Sequence, residues 1–177
     1  MVDESKVNTI FRQSGVSCVL SSYGIVANYF TGRPVTDVFL AYCTHFGLPY
    51  HGWQNAEHLY ANHFHAECRS RLCEGYKIIL DLHHNSHVSP FPECRATFDA
   101  RFILDSHAEV AELQQTQEIC PAFLNVTYEV DGNYHTVTVF HNGANFRLRD
   151  TYSDVLTDIA SIRSLGTLRD SIFYTKS

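Results

Sequence analysis

The first third of the chain has apolar residues at helical spacing. Val19, Tyr23, Val26 and Phe30 follow one another at steps of four, three and four residues. Such steps place the four side chains along one face of a helix, because each turn takes about 3.6 residues. The pattern therefore predicts a helix over residues 17–30.

Capping signals bound this helix, and similar patterns predict others after it. Ser17 can serve as its N-cap, and Gly32 with Pro34 ends it on the far side. The further predicted helices run from Thr36 to Gly47, through "NAEHLYANHFHAEC" (55–68), and through "SHAEVAELQQTQE" (106–118) with Ser106 as its cap.

The last third changes to the alternating and β-branched pattern that is typical of strands. The predicted strands are "AFLNVTYEV" (122–130), "YHTVTVF" (134–140), "NFRLRD" (145–150) and "SIFYT" (171–175), with hairpin turns at "DGN" and "HNGA". A terminal helix is predicted in "SDVLTDIASI" (153–162). Upstream, "YKIILDL" (76–82) is predicted as a short buried strand and "HHNSHVSPFPEC" (83–94) as a loop.

Helices followed by an antiparallel sheet indicate an α+β fold. The 177 residues are enough for one domain with a full core, and no repeat or linker divides them. We therefore expect a single domain, with a helical part over about 1–120 packed on a sheet part over about 121–177.

Composition and charge narrow the class of protein. The formal net charge is −6 and the basic residues are scattered, so we expect no nucleic-acid partner. No apolar run reaches the roughly 18 residues of a membrane span. The N-terminus, "MVDESKVNTIF", lacks the basic and then apolar order of a secretory signal. We expect a cytoplasmic protein, or one exported by a route without such a signal.

One of the six cysteines has a distinctive position. Without a secretory signal the six are expected to be mostly reduced thiols, and Cys18 opens the first long helix. Helix N-termini favour negative charge, so a thiol at such a place forms the nucleophilic thiolate more readily. The N–H groups there can also stabilise an oxyanion, and Gln13 on the preceding loop is a candidate side-chain donor to it.

A hairpin in the last third supplies a candidate base and an acid to orient it. Asn142-Gly143 is a preferred centre for a two-residue type I′ turn. In that register His135 lies directly opposite Asp150, on the same face, with Cβ atoms about 5 Å apart. The carboxylate can then hold the imidazole in one tautomer. His141, at the turn, faces an alanine and is the poorer candidate.

Cys18, His135 and Asp150 in this order, with Gln13 ahead of the cysteine, resemble the papain-like cysteine peptidase superfamily. The sequence is most similar to its bacteriocin-processing, double-glycine-peptidase-like branch, in "SCVLSSYGIVANYFTG" and "YHTVTVFHNGANFRLRDTY". The resemblance implies a papain-like fold with Cys18 as nucleophile, His135 as base and acid, Asp150 as orienting group and Gln13 in the oxyanion hole. The long stretch between the two segments separates this chain from the compact processing peptidases, so double-glycine specificity is not carried over.

These residues predict a cysteine hydrolase that cleaves a peptide or related amide bond in a peptide or protein, with no cofactor or metal. The Cys18 thiolate attacks the carbonyl, and His135 protonates the leaving amine and then activates water. An acyltransferase that uses the same triad, with an amine in place of water, is one alternative. Another is a non-catalytic binding domain of the same fold. Taken alone, Asp150 could also be the N-cap of the next predicted helix.

A zinc-stabilised module is a further hypothesis. Eight of the eleven histidines lie within residues 45–87, and "HFHAECRSRLC" brings His63, His65, Cys68 and Cys73 close together in sequence. The spacing lacks a paired Cys-x-x-Cys or His-x-x-x-His motif, and the two histidines fall on different helix faces. Solvated or core histidines are therefore the expected interpretation.

Overall fold

The computed structural model describes residues 1–7, 10–68, 72–85, 91, 93–103 and 109–177. Its helices are α1 (Glu4–Val7), α2 (Cys18–Thr31), α3 (Asp37–Phe46), α4 (Trp53–Cys68), α5 (Leu72–His84), α6 (Cys94–Thr97), α7 (Glu109–Gln117) and a short 3₁₀ helix (Ile162–Leu165). Its strands are β1 (Phe98–Ile103), β2 (Ala122–Val130), β3 (Asn133–His141), β4 (Phe146–Arg149), β5 (Leu156–Ile159) and β6 (Thr167–Lys176). The predicted α+β class is confirmed.

The strands form one antiparallel sheet in the order β1-β6-β2-β3-β4-β5, and the sheet is covered on both faces. The side chains of strand β2 illustrate this, since they alternate between two hydrophobic cores, one on each face of the sheet. Phe123 packs with helices α2 to α5, whereas Leu124 and Val126 pack with Leu113 of α7. A strand with both faces buried has an almost continuous apolar sequence, as residues 122–128 have.

The predicted helices α2, α3 and α4 are present, and local signals end the first two of them. Gly32 closes α2 in the left-handed conformation (φ 75°), and its N–H donates to the carbonyl of Asn28 at 2.9 Å. Gly47 closes α3 in the same way (φ 67°). Glycine adopts such angles without the steric cost of a Cβ atom, which is why it favours helix C-termini.

Two sequence-based elements are wrong in type. Residues 76–82, predicted as a buried strand, belong to helix α5, where Tyr76, Ile79 and Leu82 are buried along one face. A short apolar run fits a buried strand or a helix equally well, and packing decides. Residues 153–162, predicted as a helix, contain strand β5 instead. Strand β5 covers the edge of β4, and an ion pair of 2.9 Å joins Arg147 to Asp158 across the two strands.

The boundary between a helical and a sheet part is also more complex than predicted. Strand β1 was not predicted, and it pairs with β6 within the region assigned to helices. The helix predicted at 106–118 is present as α7, but its proposed cap Ser106 lies outside the described residues. The predicted loop at 83–94 falls partly outside them as well, and its first two residues end α5.

No helix in the described ranges combines the length and apolar character needed to cross a membrane.

Candidate active site

Cys18 is the first residue of α2, and a buried carboxylate fixes the loop that leads to it. Glu57 of α4 accepts hydrogen bonds from the Ser14 N–H (3.1 Å), the Ser14 hydroxyl (2.5 Å) and the Ser17 hydroxyl (2.6 Å). An added Cβ on Gly15 would lie 3.3 Å from the same carboxylate. The loop and α4 are therefore packed tightly against each other just before the thiol.

Ser17 occupies the predicted N-cap position, but its side chain does not cap the helix. Its hydroxyl contacts Glu57 and, at 2.9 Å, the Ser21 hydroxyl. The first N–H groups of a helix have no intrahelical partners, and here no cap side chain covers them. The N–H of Cys18 is among these groups, so it can serve as a donor to an anion that forms next to the sulfur.

The predicted contact between His135 and Asp150 is present, with 3.0 Å between Nε2 and Oδ1. The N–H at Nε2 is not aimed closely at that oxygen, so the hydrogen-bond geometry of this contact is imperfect. Asp150 also accepts a hydrogen bond from the Tyr152 N–H at 3.0 Å, which fixes the carboxylate as the chain turns away from β4.

The register that led to this prediction is wrong. His141 pairs with Phe146 instead of Ala144, and the connection has four residues instead of two. The side chain of Asn142 causes the difference, because its Oδ1 accepts from the N–H groups of Ala144 (3.0 Å) and Asn145 (2.8 Å) and so widens the turn. A shift of two residues keeps every side chain on its face, so the acid and the imidazole still meet.

The charges around His135 favour its protonated form. Burial alone lowers the pKa of His135, but the contacts with Asp150 and with the Cys18 side chain outweigh burial and raise this pKa to about 9. For Asp150, burial acts in the direction of a higher pKa, but the contacts with His135 and with the Tyr152 N–H outweigh burial and bring this pKa below its usual value. The site is thus arranged as a carboxylate, an imidazolium and a thiol in sequence.

Tyr152 covers the imidazole on one side. Its ring stacks on that of His135 with centroids 5.4 Å apart and an interplanar angle of 28°. The Tyr152 hydroxyl donates to the carbonyl of Gly15 at 3.3 Å, which links the turn after Asp150 to the loop before Cys18. The aromatic ring therefore covers one face of the imidazole, whose side chain is 20% exposed.

Gln13 is buried beside the same loop. Its backbone N–H donates to the Thr151 carbonyl at 2.8 Å, and its side-chain oxygen accepts from the Thr151 hydroxyl. Its side-chain amide donates to the carbonyl of Gly15 at 2.7 Å. These contacts tie Gln13 to the residue after Asp150 and to the loop before Cys18.

A fully buried arginine holds the two segments together. The guanidinium of Arg149 donates to the carbonyl oxygens of Phe11 (2.8 Å), Asp150 (2.8 Å) and Ser153. Burial lowers the pKa of Arg149, and the charge of Asp150 acts in the opposite direction. One side chain therefore sets the position of the acid relative to the N-terminal segment.

On another side of Cys18 lies a small apolar cavity of about 70 Å³. Besides Cys18, the residues that line this cavity include Thr127 and Thr136, whose hydroxyls lie 2.6 Å apart. The Tyr76 hydroxyl bonds to Thr127, and burial raises the pKa of Tyr76 well above its usual value. Asp170 of β6 pairs with Thr127 in the sheet and is also buried.

Cys18, His135 and Asp150 were predicted from the sequence to lie together, whereas Tyr152, Glu57 and Arg149 were not predicted. Tyr152 follows Asp150 by two positions, a spacing that could have indicated an aromatic cover. Glu57 carries no signal in the sequence, because a glutamate in a polar helix resembles a solvated surface residue.

The other histidine candidates have different surroundings. His141 is buried, and its Nδ1 accepts a hydrogen bond from the Gly143 N–H at 3.1 Å. His63 hydrogen-bonds to the hydroxyl of Tyr42. The side chains of the other three proposed zinc ligands lie outside the described residues, and the described side chains contain no group of three or more that could hold a metal ion.

No family model matches the sequence, and comparisons with curated proteins and with solved structures found no significant similarity.

Proposed function

We propose that the protein is a papain-like cysteine hydrolase that cleaves a peptide or related amide bond. The observation that carries the proposal is the position of the His135 imidazole, which contacts the Asp150 carboxylate at 3.0 Å and interacts with the side chain of Cys18. An imidazolium next to a thiol at a helix N-terminus favours the thiolate, which is the nucleophilic form.

In the proposed reaction the sulfur of Cys18 attacks the carbonyl carbon, and the carbonyl oxygen becomes an oxyanion. The N–H of Cys18 stabilises this charge, and the side-chain amide of Gln13, whose contacts here are with the Gly15 carbonyl and the Tyr152 hydroxyl, is the second donor of the proposed oxyanion hole. His135 then protonates the leaving amine. The same imidazole takes a proton from water, which releases the acyl group, and no cofactor is needed.

The first test is the pH dependence of Cys18 alkylation by iodoacetamide, with Cys18→Ala used to subtract the other thiols. We expect Cys18 to react well below pH 8 in the wild-type protein. In His135→Ala it should react only as the pH approaches the pKa of an ordinary thiol. Equal profiles in the two proteins would contradict an ion-paired nucleophile.

A second test measures whether the protein cleaves peptides. Wild-type protein and Cys18→Ala are incubated with a mixture of unstructured peptides, and the products are identified by mass spectrometry. We expect new peptide termini that require Cys18. Products that carry an amine in place of water would instead assign an acyltransferase.

A further inference from the structure

The cavity beside Cys18 is enclosed by three parts of the fold. The start of α2, one face of α4 and the central strands β2 and β3 form its walls. From α4 come Tyr60 and Phe64, which follow Glu57 at three and seven residues and so share its helix face. The helix that fixes the nucleophile loop therefore also builds the wall of the cavity.

The cavity offers an apolar surface despite its two threonines. The hydroxyls of Thr127 and Thr136 bond to each other at 2.6 Å, and the Tyr76 hydroxyl contacts both of them. Because these hydroxyls are already paired, a polar ligand group would find few partners there and would lose its hydrogen bonds to water. An aliphatic group loses nothing on entry and gains from burial.

Apolar side chains also extend from the cavity to the surface. Val16 is 52% exposed and Tyr134 is 48% exposed, and both line the opening next to Cys18. Exposed apolar side chains next to a candidate nucleophile form a contact surface for a bound chain.

The volume limits what can enter. A cavity of about 150 Å³ accommodates benzene, so about 70 Å³ accommodates roughly three carbon atoms and excludes an aromatic ring. The wall cannot easily retreat at Phe64, because an added Cβ on Gly75 of α5 would lie 2.4 Å from the Phe64 ring. Tyr60 packs on the other side, with ring centroids 5.0 Å apart.

We propose that this cavity is a substrate subsite that accepts a small branched aliphatic group, of the size of a valine side chain, next to the bond that is cleaved. The inference rests on the proposed function, because it takes Cys18 as the nucleophile. It adds the class of substrate, which is a peptide or acyl compound with a small aliphatic side chain at the position facing α4.

The test compares three alkylating probes that differ only in the nitrogen substituent: iodoacetamide, N-isopropyliodoacetamide and N-benzyliodoacetamide. Each rate at Cys18 is divided by the rate of the same probe with glutathione, which corrects for differences in intrinsic reactivity between the probes. We expect the isopropyl probe to exceed iodoacetamide by about 10-fold, since groups that fill an apolar pocket gain this much or more. The benzyl probe should show no gain.

Variants of the cavity wall make the test specific. Phe64→Leu enlarges the cavity and should admit the benzyl probe, whereas Gly75→Ala presses on the Phe64 ring and should reduce the preference for isopropyl. Phe30→Leu, at the opposite end of α2, is the matched control and should keep the wild-type ratios. The comparison of the three probes in wild type stands even if a variant does not fold.

The two proposals fail in different ways. If Cys18 reacts with iodoacetamide as slowly as an ordinary thiol at neutral pH, the proposed function is wrong. If Cys18 is reactive but the three probes keep the ratios seen with glutathione, only the subsite is wrong. A benzyl preference in wild type would also overturn the subsite, because the cavity would then not be the part that binds.

Discussion

The carboxylate of Glu57 lies 2.6 Å from the hydroxyl of Ser17, one residue before the Cys18 thiol. Glu57 is 2% exposed and accepts two further hydrogen bonds, both from Ser14. A buried carboxylate is costly unless several donors satisfy it, and here all three donors belong to one short loop. The position of the candidate nucleophile therefore depends on a residue of α4 that has no role in the proposed reaction.

Glu57→Gln should misplace Cys18. The amide has one acceptor oxygen where the carboxylate has two, so at least one of the three hydrogen bonds from Ser14 and Ser17 must be lost or reversed, and those that remain lose the strengthening effect of the charge. We expect about 1–3 kcal/mol less stability in denaturant unfolding. We also expect Cys18 alkylation at pH 7 to become about 10-fold slower, because the free energy of one charged hydrogen bond corresponds to a change in rate of about this size. Glu118→Gln, at an exposed glutamate, is the control. Unchanged alkylation in a less stable Glu57→Gln protein would assign Glu57 a purely structural role.

Elements with strong local signals could be predicted from the sequence. Helix α2 has a regular apolar face and a glycine end, and the β2–β3 hairpin has Asp131-Gly132, both with positive φ, at its turn. Residues 76–82 and 153–162 could not be predicted, because each fits two structures and its neighbours select one. Strand β5, for example, forms only because β4 offers it an edge.

The candidate site was predicted in part, for a similar reason. His135 and Asp150 are in contact although the strands pair in a register other than the predicted one. A shift of two residues changes the pairing but leaves each side chain on the same face of the sheet. The parts of the site that were missed depend on contacts between segments distant in the chain. Glu57 reaches a loop about 40 residues before it, and Arg149 reaches the carbonyl of Phe11.

Removal of the Tyr152 ring should change the acidity of His135. Tyr152→Ala exposes the ion pair with Asp150 to water, which reduces the effect of burial that lowers the pKa of His135 and also weakens the attractions that raise it to about 9. Because the attractions are together the larger effect, the net change is towards the ordinary pKa of about 6.5. We expect this pKa to fall, and the alkylation of Cys18 at neutral pH to slow with it. Titration of the His135 ring by NMR measures the pKa. Tyr152→Phe keeps the stacked ring and should resemble wild type, and a pKa equally high in Tyr152→Ala would contradict this role.

His83 should make the protein sensitive to acid. It is buried at the end of α5, with Nδ1 3.2 Å from the Tyr23 hydroxyl, and burial with the nearby His84 lowers its pKa to about 4. Its usual pKa is about 6.5, so between these values the unfolded chain binds a proton that the folded protein does not. The stability from neutral His83 is complete above pH 6.5 and is lost as the pH falls towards 4.

The size of this effect can be measured by urea unfolding at pH 7 and pH 4.5. A shift of this size corresponds to at most about 3 kcal/mol lost over the window. His83→Asn cannot titrate and can still accept from the Tyr23 hydroxyl. It should therefore lose less stability than wild type between the two pH values, even if it is less stable at both. An equal loss in the two proteins would show that His83 does not control the acid response.

Asp170 should act in the opposite direction, at higher pH. It lies on β6 with its Oδ1 unpaired among the described residues, and burial raises its pKa to about 7, although the bond with Thr127 opposes this. Between its usual pKa of about 4 and this value, the folded protein holds a proton that the unfolded chain releases. The contribution of Asp170 to stability is therefore complete below pH 4 and is lost as the pH rises through 7.

Asp170→Asn keeps the shape of the side chain and removes the charge. We expect it to be more stable than wild type at pH 8.5 by up to about 4 kcal/mol, and to have little or no advantage at pH 4.5. Urea unfolding at the two pH values measures the difference, with Asp99→Asn, at an exposed aspartate, as the control. Asp170 neighbours Thr127, which lines the cavity beside Cys18, so the ionised carboxylate would also bring charge close to that cavity. A constant difference between variant and wild type at both pH values would mean that Asp170 is already ionised in the folded protein.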